Sequence, residues 1–194
     1  MIKEKEMQRQ LLHILFGILI VVLLHYSVIT ITTLLIIAIL SLILSIIIKY
    51  VQLPFLSFLH QWERKEDMDS FPGKGVVHYL LGCLLALVLF PKDIALAGIM
   101  ILALGDSISH IVGRFYGTKK HPLNNKKMLE GWAAGIIAGF FGAVVFVSLP
   151  EAFLASVIAM TAEVADWGTR NRILDDNLFI PVIACIIIAA IRLM

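Results

Sequence analysis

Two apolar runs, Leu11 to Ile29 and Leu34 to Ile48, follow one another with only the polar break Thr30 to Thr33 between them. Neither contains an Asp, Glu, Lys or Arg. A helix of about 20 largely apolar residues is what crosses a bilayer. Hydrophobic residues make up 60% of the 194-residue chain and charged ones 15%, against about 25% charged in an ordinary soluble domain. The expectation is an all-α, polytopic membrane helix bundle.

Five further runs bring the count to about seven transmembrane helices: Val76 to Phe90, Ile94 to Val112, Gly131 to Leu149, Glu151 to Asp166, and Leu178 to Ile191. Pro91, Lys92 and Asp93 form a turn, and Pro150 ends the fifth run. Lys49 to Gly73 lies outside the membrane, with Phe55 to Trp62 along its interface. With a cytoplasmic N-terminus, fourteen Lys and Arg residues fall on the inner side, and only Lys92 and Arg192 on the outer. The positive-inside rule therefore supports seven spans, N-terminus in and C-terminus out. The charged start, Met1 to Gln10, has no small-residue cleavage site after it and reads as part of a retained first helix. Neither a linker nor a repeat divides the chain, so residues 1–194 read as one domain. The net charge of +2 gives no reason to expect nucleic acid. Cys83 and Cys185 lie in apolar runs and read as small core residues.

Ionisable groups at membrane depth are costly, so they tend to serve function. Here they gather at the cytoplasmic helix ends. Glu6, Arg9 and His13 share one face of the first helix. Lys74, His78 and Gly82 share a face of the third, and Asp106, His110, Gly113 and Arg114 one of the fourth. Glu163, Asp166 and Trp167 end the sixth, while Asp175, Asp176 and Asn177 open the seventh. Carboxylates suit Mg2+, and the loop from Arg114 to Lys127 offers Lys119, Lys120, Lys126 and Lys127 to phosphates. Gly113 and Gly117 would let backbone approach a ligand. Attraction of the same loop to anionic lipid headgroups is the plainer reading. Gly131, Gly135, Gly139 and Gly142 read as helix packing, within the chain or in a homodimer.

The order of these clusters resembles the CTP-dependent lipid kinases (dolichol kinase, phytol kinase and the CTP-dependent diacylglycerol kinase), which are similar to the phosphatidate cytidylyltransferases. Glu6, Arg9 and His13 look like the family's opening block. Gly105-Asp106-Ser107, Gly113-Arg114 and Gly117 resemble its most specific signature. Lys127 and Glu130-Gly131 resemble the next block, and Glu163, Asp176-Asn177 and Pro181 the last. Where the family has hydroxyl residues, this chain has Met128 and Trp132. The resemblance implies phosphoryl transfer from CTP to the hydroxyl of a membrane lipid alcohol. On it, Asp106 and Asp176 hold Mg2+ with Asn177 assisting. Arg114, Lys126, Lys127 and Lys74 bind phosphates beside the signature residues Gly105, Gly113, Gly117, Glu130 and Gly131. Glu163 or His110 accepts the hydroxyl proton. The alternative within this chemistry is cytidylyl transfer to a lipid phosphate, with release of pyrophosphate. A small transporter or structural membrane protein would instead line a path across the membrane with polar residues, whereas the outer helix halves here read as almost purely apolar.

Overall fold

The computed structural model describes residues 2–50, 71–165 and 175–194. These form seven helices and one small hairpin. The helices are α1 (Ile2–His25), α2 (Ile31–Tyr50), α3 (Lys74–Leu89), α4 (Lys92–Tyr116), α5 (Leu129–Ala143), α6 (Leu149–Val164) and α7 (Asp176–Arg192). The hairpin between α4 and α5 pairs β1 (Lys120–His121) with β2 (Asn124–Met128) in antiparallel fashion. It occupies part of the stretch that reads as a basic loop in the sequence. Three helical stretches are long and apolar enough to cross a membrane: Glu4–His25, Ile31–Tyr50 and Lys92–Tyr116. α3 and α5 are shorter apolar helices.

α4 is buried along most of its length and forms the axis of the bundle. α1, α3, α5 and α7 all pack against it. α2 sits at the edge, held to α3 by Leu34, Ala38 and Ser45, whose hydroxyl bonds the Pro72 carbonyl. The faces of α1 and α2 turned away from the bundle carry Leu15, Phe16, Ile36, Leu40 and Ile43 in exposed positions. An apolar surface of this extent marks a membrane or partner interface.

Small residues set the distances between helices. A Cβ on Gly131 would come within 2.6 Å of the Ser109 carbonyl oxygen and 2.8 Å of Gly113 Cα. One on Gly135 would come within 2.8 Å of the Gly105 carbonyl oxygen. The glycine stripe of α5 is thus spent on α4 inside this chain, and is buried there. On the other side of α4, a Cβ on Gly98 would meet Cys185 Sγ at 2.6 Å and the Pro181 carbonyl oxygen at 2.7 Å. Pro181 lies inside α7 and has no N–H for the Asn177 carbonyl. A Cβ on Gly82 of α3 would land on that oxygen. Cys83 and Cys185 are buried and free, as expected of core residues.

Pro150 departs from its expected role. α5 stops at Ala143, and Pro150 lies in the first turn of α6. Its missing N–H costs nothing there. Ser148 caps that helix in a reciprocal box: its N–H and hydroxyl donate to Glu151 Oε2 at 2.7 and 2.8 Å. The bundle end holding Glu151 is also less apolar than expected. Arg192 Nε donates to Glu151 Oε1 and its NH1 to Asp93 Oδ2, both at 2.7 Å. Lys92 donates to the His25 carbonyl at 3.1 Å and to Ser27 Oγ at 3.0 Å. The spacing of apolar residues cannot show that charges from three helices neutralise one another.

Gly135→Ala is expected to destabilise the fold by about 1–3 kcal/mol through overpacking against α4. Ile137→Ala, on the exposed face of α5, should stay within about 0.5 kcal/mol of the parent. Thermal unfolding of the purified protein in detergent measures both.

Candidate functional site

At the end of the bundle opposite Arg192, four side chains from three helices converge. Asp106 and His110 lie one turn apart on α4, Glu163 ends α6, and Asp176 opens α7. One ligand atom from each lies within 4.8 Å of every other. His110 Nε2 is 3.3 Å from Asp106 Oδ1 and 4.0 Å from Glu163 Oε1. Asp106 and Glu163 are buried, while His110 is partly exposed. The sequence places these residues on three separate helices; folding makes them neighbours.

Each carboxylate is positioned by a local device. Ile101–Asp106 is a π-helical segment within α4. Such a segment adds a residue to the turn and re-aims the side chains that follow, and it recurs at functional sites. Asp106 is its last residue. Asp176 follows Asp175, whose Oδ1 accepts the Asn177 N–H at 3.1 Å and caps α7. Glu163 is held by Lys127, which reaches it from β2 and forms an ion pair with Oε1. Burial alone would push the Lys127 ammonium down. Glu163, Asp106 and Asp176 outweigh burial and raise it above its ordinary value, so it stays charged. Among the described residues, Glu163 Oε2 and Asp106 Oδ1 are buried without a well-directed hydrogen bond.

The hairpin is anchored so that Lys127 can do this. Asn124 Nδ2 donates to the Val164 carbonyl at 3.1 Å, tying the hairpin to the end of α6. Glu130 Oε1 accepts from the Thr118 N–H and the Lys119 N–H at 3.1 Å, and from the Thr118 hydroxyl at 2.5 Å. These bonds, with that from the Thr118 hydroxyl foremost, hold the Glu130 carboxyl down at about 2. Glu130 therefore clamps the chain entering β1. Met128 packs over Gly117, and Trp132 Nε1 donates to Thr161 Oγ1 at 3.2 Å with its ring edge-on to His121.

Several sequence-predicted phosphate ligands are engaged elsewhere. Arg114 is exposed, and its NH1 lies 3.8 Å from Glu6 Oε2 on α1, where Arg9 also meets Glu6 at 2.6 Å. Lys126 occupies an exposed strand position of β2. Lys74 lies 3.7 Å from Asp175 Oδ2. Asn177 gives its amide to the Gly75 carbonyl at 3.4 Å, linking α7 to α3. Gly105, Gly113 and Gly131 serve helix contact, and Gly117 makes room for Met128. At Gly105 and Gly131 the close neighbours belong to other helices. Asp166 and Trp167 lie outside the described residues. Tyr79, buried beside His13 at a ring separation of 4.6 Å, escaped the sequence reading because it lies one position off the polar face of its helix.

The chain is 30% identical, over 95% of its length, to an uncharacterized protein of Methanocaldococcus jannaschii, of which it covers 93%. It belongs to that protein's family. It is also 34% identical to a CTP-dependent diacylglycerol kinase 1 of Eremothecium gossypii, over 43% of the chain and 26% of the kinase. A protein of the same name from Schizosaccharomyces pombe is 29% identical over 62% of each. A probable chloroplastic phytol kinase of Triticum aestivum is 29% identical over 56% of the chain and 41% of the kinase. These relatives support the CTP-dependent lipid kinase family and lipid phosphorylation as its general chemistry. The chain spans between about a quarter and three fifths of the length of these kinases. No family model and no solved structure matches it.

Glu130→Gln is expected to loosen the Thr118–Lys119 backbone, seen as at least about tenfold faster amide exchange there. The sign in the parent follows from the lowered carboxyl. The clamp is fully present above the ordinary value of 4.5 and is lost only as pH falls through about 2. Protection of these two amides, corrected for intrinsic exchange, should thus be flat between about pH 5 and 8.

Proposed function

We propose that this protein is a membrane-embedded lipid kinase that transfers a phosphoryl group from CTP to the hydroxyl of a membrane lipid alcohol. The observation that carries the reading is the meeting of Asp106, His110, Glu163 and Asp176 within 4.8 Å beside Lys127. Three acidic side chains drawn this close repel one another unless a cation joins them. The donor set fits Mg2+: it is rich in oxygen, and Asp106 Oδ1 and Glu163 Oε2 are buried without well-directed hydrogen bonds. Asp106 and Asp176 would hold the ion. An ion held there would supply positive charge to offset the negative charge of the nucleotide phosphates.

The remaining work falls to side chains of the chain itself. Lys127 stays charged and offers the phosphates a cation at the inner wall of the cleft. His110 faces the cleft and takes the proton of the acceptor hydroxyl, since Glu163 is already engaged by Lys127. Arg114 and Lys74 edge the same end of the bundle, paired with Glu6 and Asp175. Each is close to the surface and can exchange that partner for a phosphate. The basic residues, concentrated at this end by the inside-positive count, support a cleft open to the cytoplasm in a multi-pass protein. A soluble nucleotide and a lipid headgroup can meet there.

Incubation of the purified protein with labelled CTP or ATP and a panel of lipid alcohols and lipid phosphates tests the reading. CDP with a phosphorylated lipid is expected. Pyrophosphate with a CDP-lipid would instead establish a cytidylyltransferase. Asp106→Asn and Asp176→Asn should each cut turnover by about a hundredfold or more, and Lys119→Ala by less than about threefold. Chelation of divalent ions should abolish turnover, and added Mg2+ should restore it.

A further inference from the structure

Two buried polar atoms next to the carboxylates have no part in the arrangement above. His13 Nε2 on α1 and the Tyr79 hydroxyl on α3 are both buried and, among the described residues, without hydrogen-bond partners. Tyr79 is only 5% exposed. The two rings meet edge to face at 88°, a contact that satisfies neither heteroatom. An unmet buried donor or acceptor is costly, so such a pair calls for an occupant.

Gly17 lets α1 close onto this pair. A Cβ there would land on the Tyr79 hydroxyl and on Ala103 Cβ of α4. His13 lies within electrostatic reach of Asp106 and His110, and Tyr79 within reach of Asp106.

The chemistry of the two atoms selects the occupant. A neutral imidazole nitrogen accepts a hydrogen bond, and a phenol donates one. An aliphatic hydroxyl has one donor and spare acceptor capacity, so it satisfies both at once. A phosphate brings only acceptors in its ionised form, and the nearby Asp106 carboxylate repels it. We infer that the His13–Tyr79 pair, between α1, α3 and α4, is the seat of the acceptor alcohol's hydroxyl. The lipid tail leaves past the exposed apolar side chains Leu12 and Phe16 of α1. This inference rests on the lipid kinase reading and assigns its acceptor subsite. A hydroxyl seated here lies within electrostatic reach of His110, the group assigned to take its proton.

The test uses the full chain purified in detergent. Binding of dioctanoylglycerol, of geranylgeraniol and of the methyl ether of each is measured by thermal-shift titration, with Mg·CTP titrated in parallel. Tyr79→Phe and His13→Phe keep the ring contact and remove one polar atom each. Both variants should bind the alcohols about tenfold more weakly and Mg·CTP as the parent does. The methyl ethers should bind the parent as weakly as the alcohols bind the variants. Unchanged alcohol binding in both variants overturns the assignment, as does a parallel fall in nucleotide binding or a parent that binds neither alcohol. A parent that binds the alcohols through this pair but forms no phosphorylated lipid supports the seat and overturns the kinase reading.

Discussion

The backbone of α5 lies against the backbone of α4, and the rest of the site depends on that approach. Only glycine at 131 and 135 permits it, because the Ser109 and Gly105 carbonyls occupy the space a side chain would need. The contact fixes the start of α5, and with it the hairpin that carries Lys127. Gly82 and Gly98 do the same on the other side, letting α7 settle beside α3 and α4 around Pro181. Asp176 is thereby brought to Asp106. In a bundle with little hydrophobic drive between helices, close backbone packing is the main source of cohesion. Here it also sets the spacing of the carboxylates.

That spacing creates an electrostatic problem, and the protein solves part of it. Lys127 neutralises Glu163, and His110 approaches Asp106. A third acidic side chain, Asp176, stands within the same 4.8 Å. The opposite end of the bundle shows the contrasting case. There Arg192 answers Asp93 and Glu151 at 2.7 Å each, and the charges close on themselves. One end is complete as a structural tie, whereas the other keeps carboxylate oxygens without well-directed hydrogen bonds among the described residues.

Much of this architecture was legible in the sequence, since apolar runs define helices and three- and four-residue spacing defines faces. The faces Glu6-Arg9-His13, Lys74-His78 and Asp106-His110-Arg114 all lie at one end of the described bundle. What stayed hidden depends on distance. A π-helical segment has no compositional mark, so the placement of Asp106 could not be foreseen. The hairpin from Lys120 to Met128 is too short and too polar to show a strand pattern. Glu130 reads as a ligand in the sequence, yet it is close enough to Thr118 to be a clamp. The stripe Gly131, Gly135, Gly139 and Gly142 was legible as helix packing, but that its partner is α4 was not.

The account stands on one claim: the carboxylates at the ends of α4, α6 and α7 form a single divalent-cation site able to grip a nucleotide. Electron paramagnetic resonance of Mn2+ added to the purified protein, without nucleotide or lipid, tests it directly. The account predicts one saturable Mn2+ site that Mg2+ displaces and that Asp176→Asn removes in a folded protein. A parent that leaves Mn2+ free, or an Asp176→Asn variant that binds it as well as the parent, would contradict it.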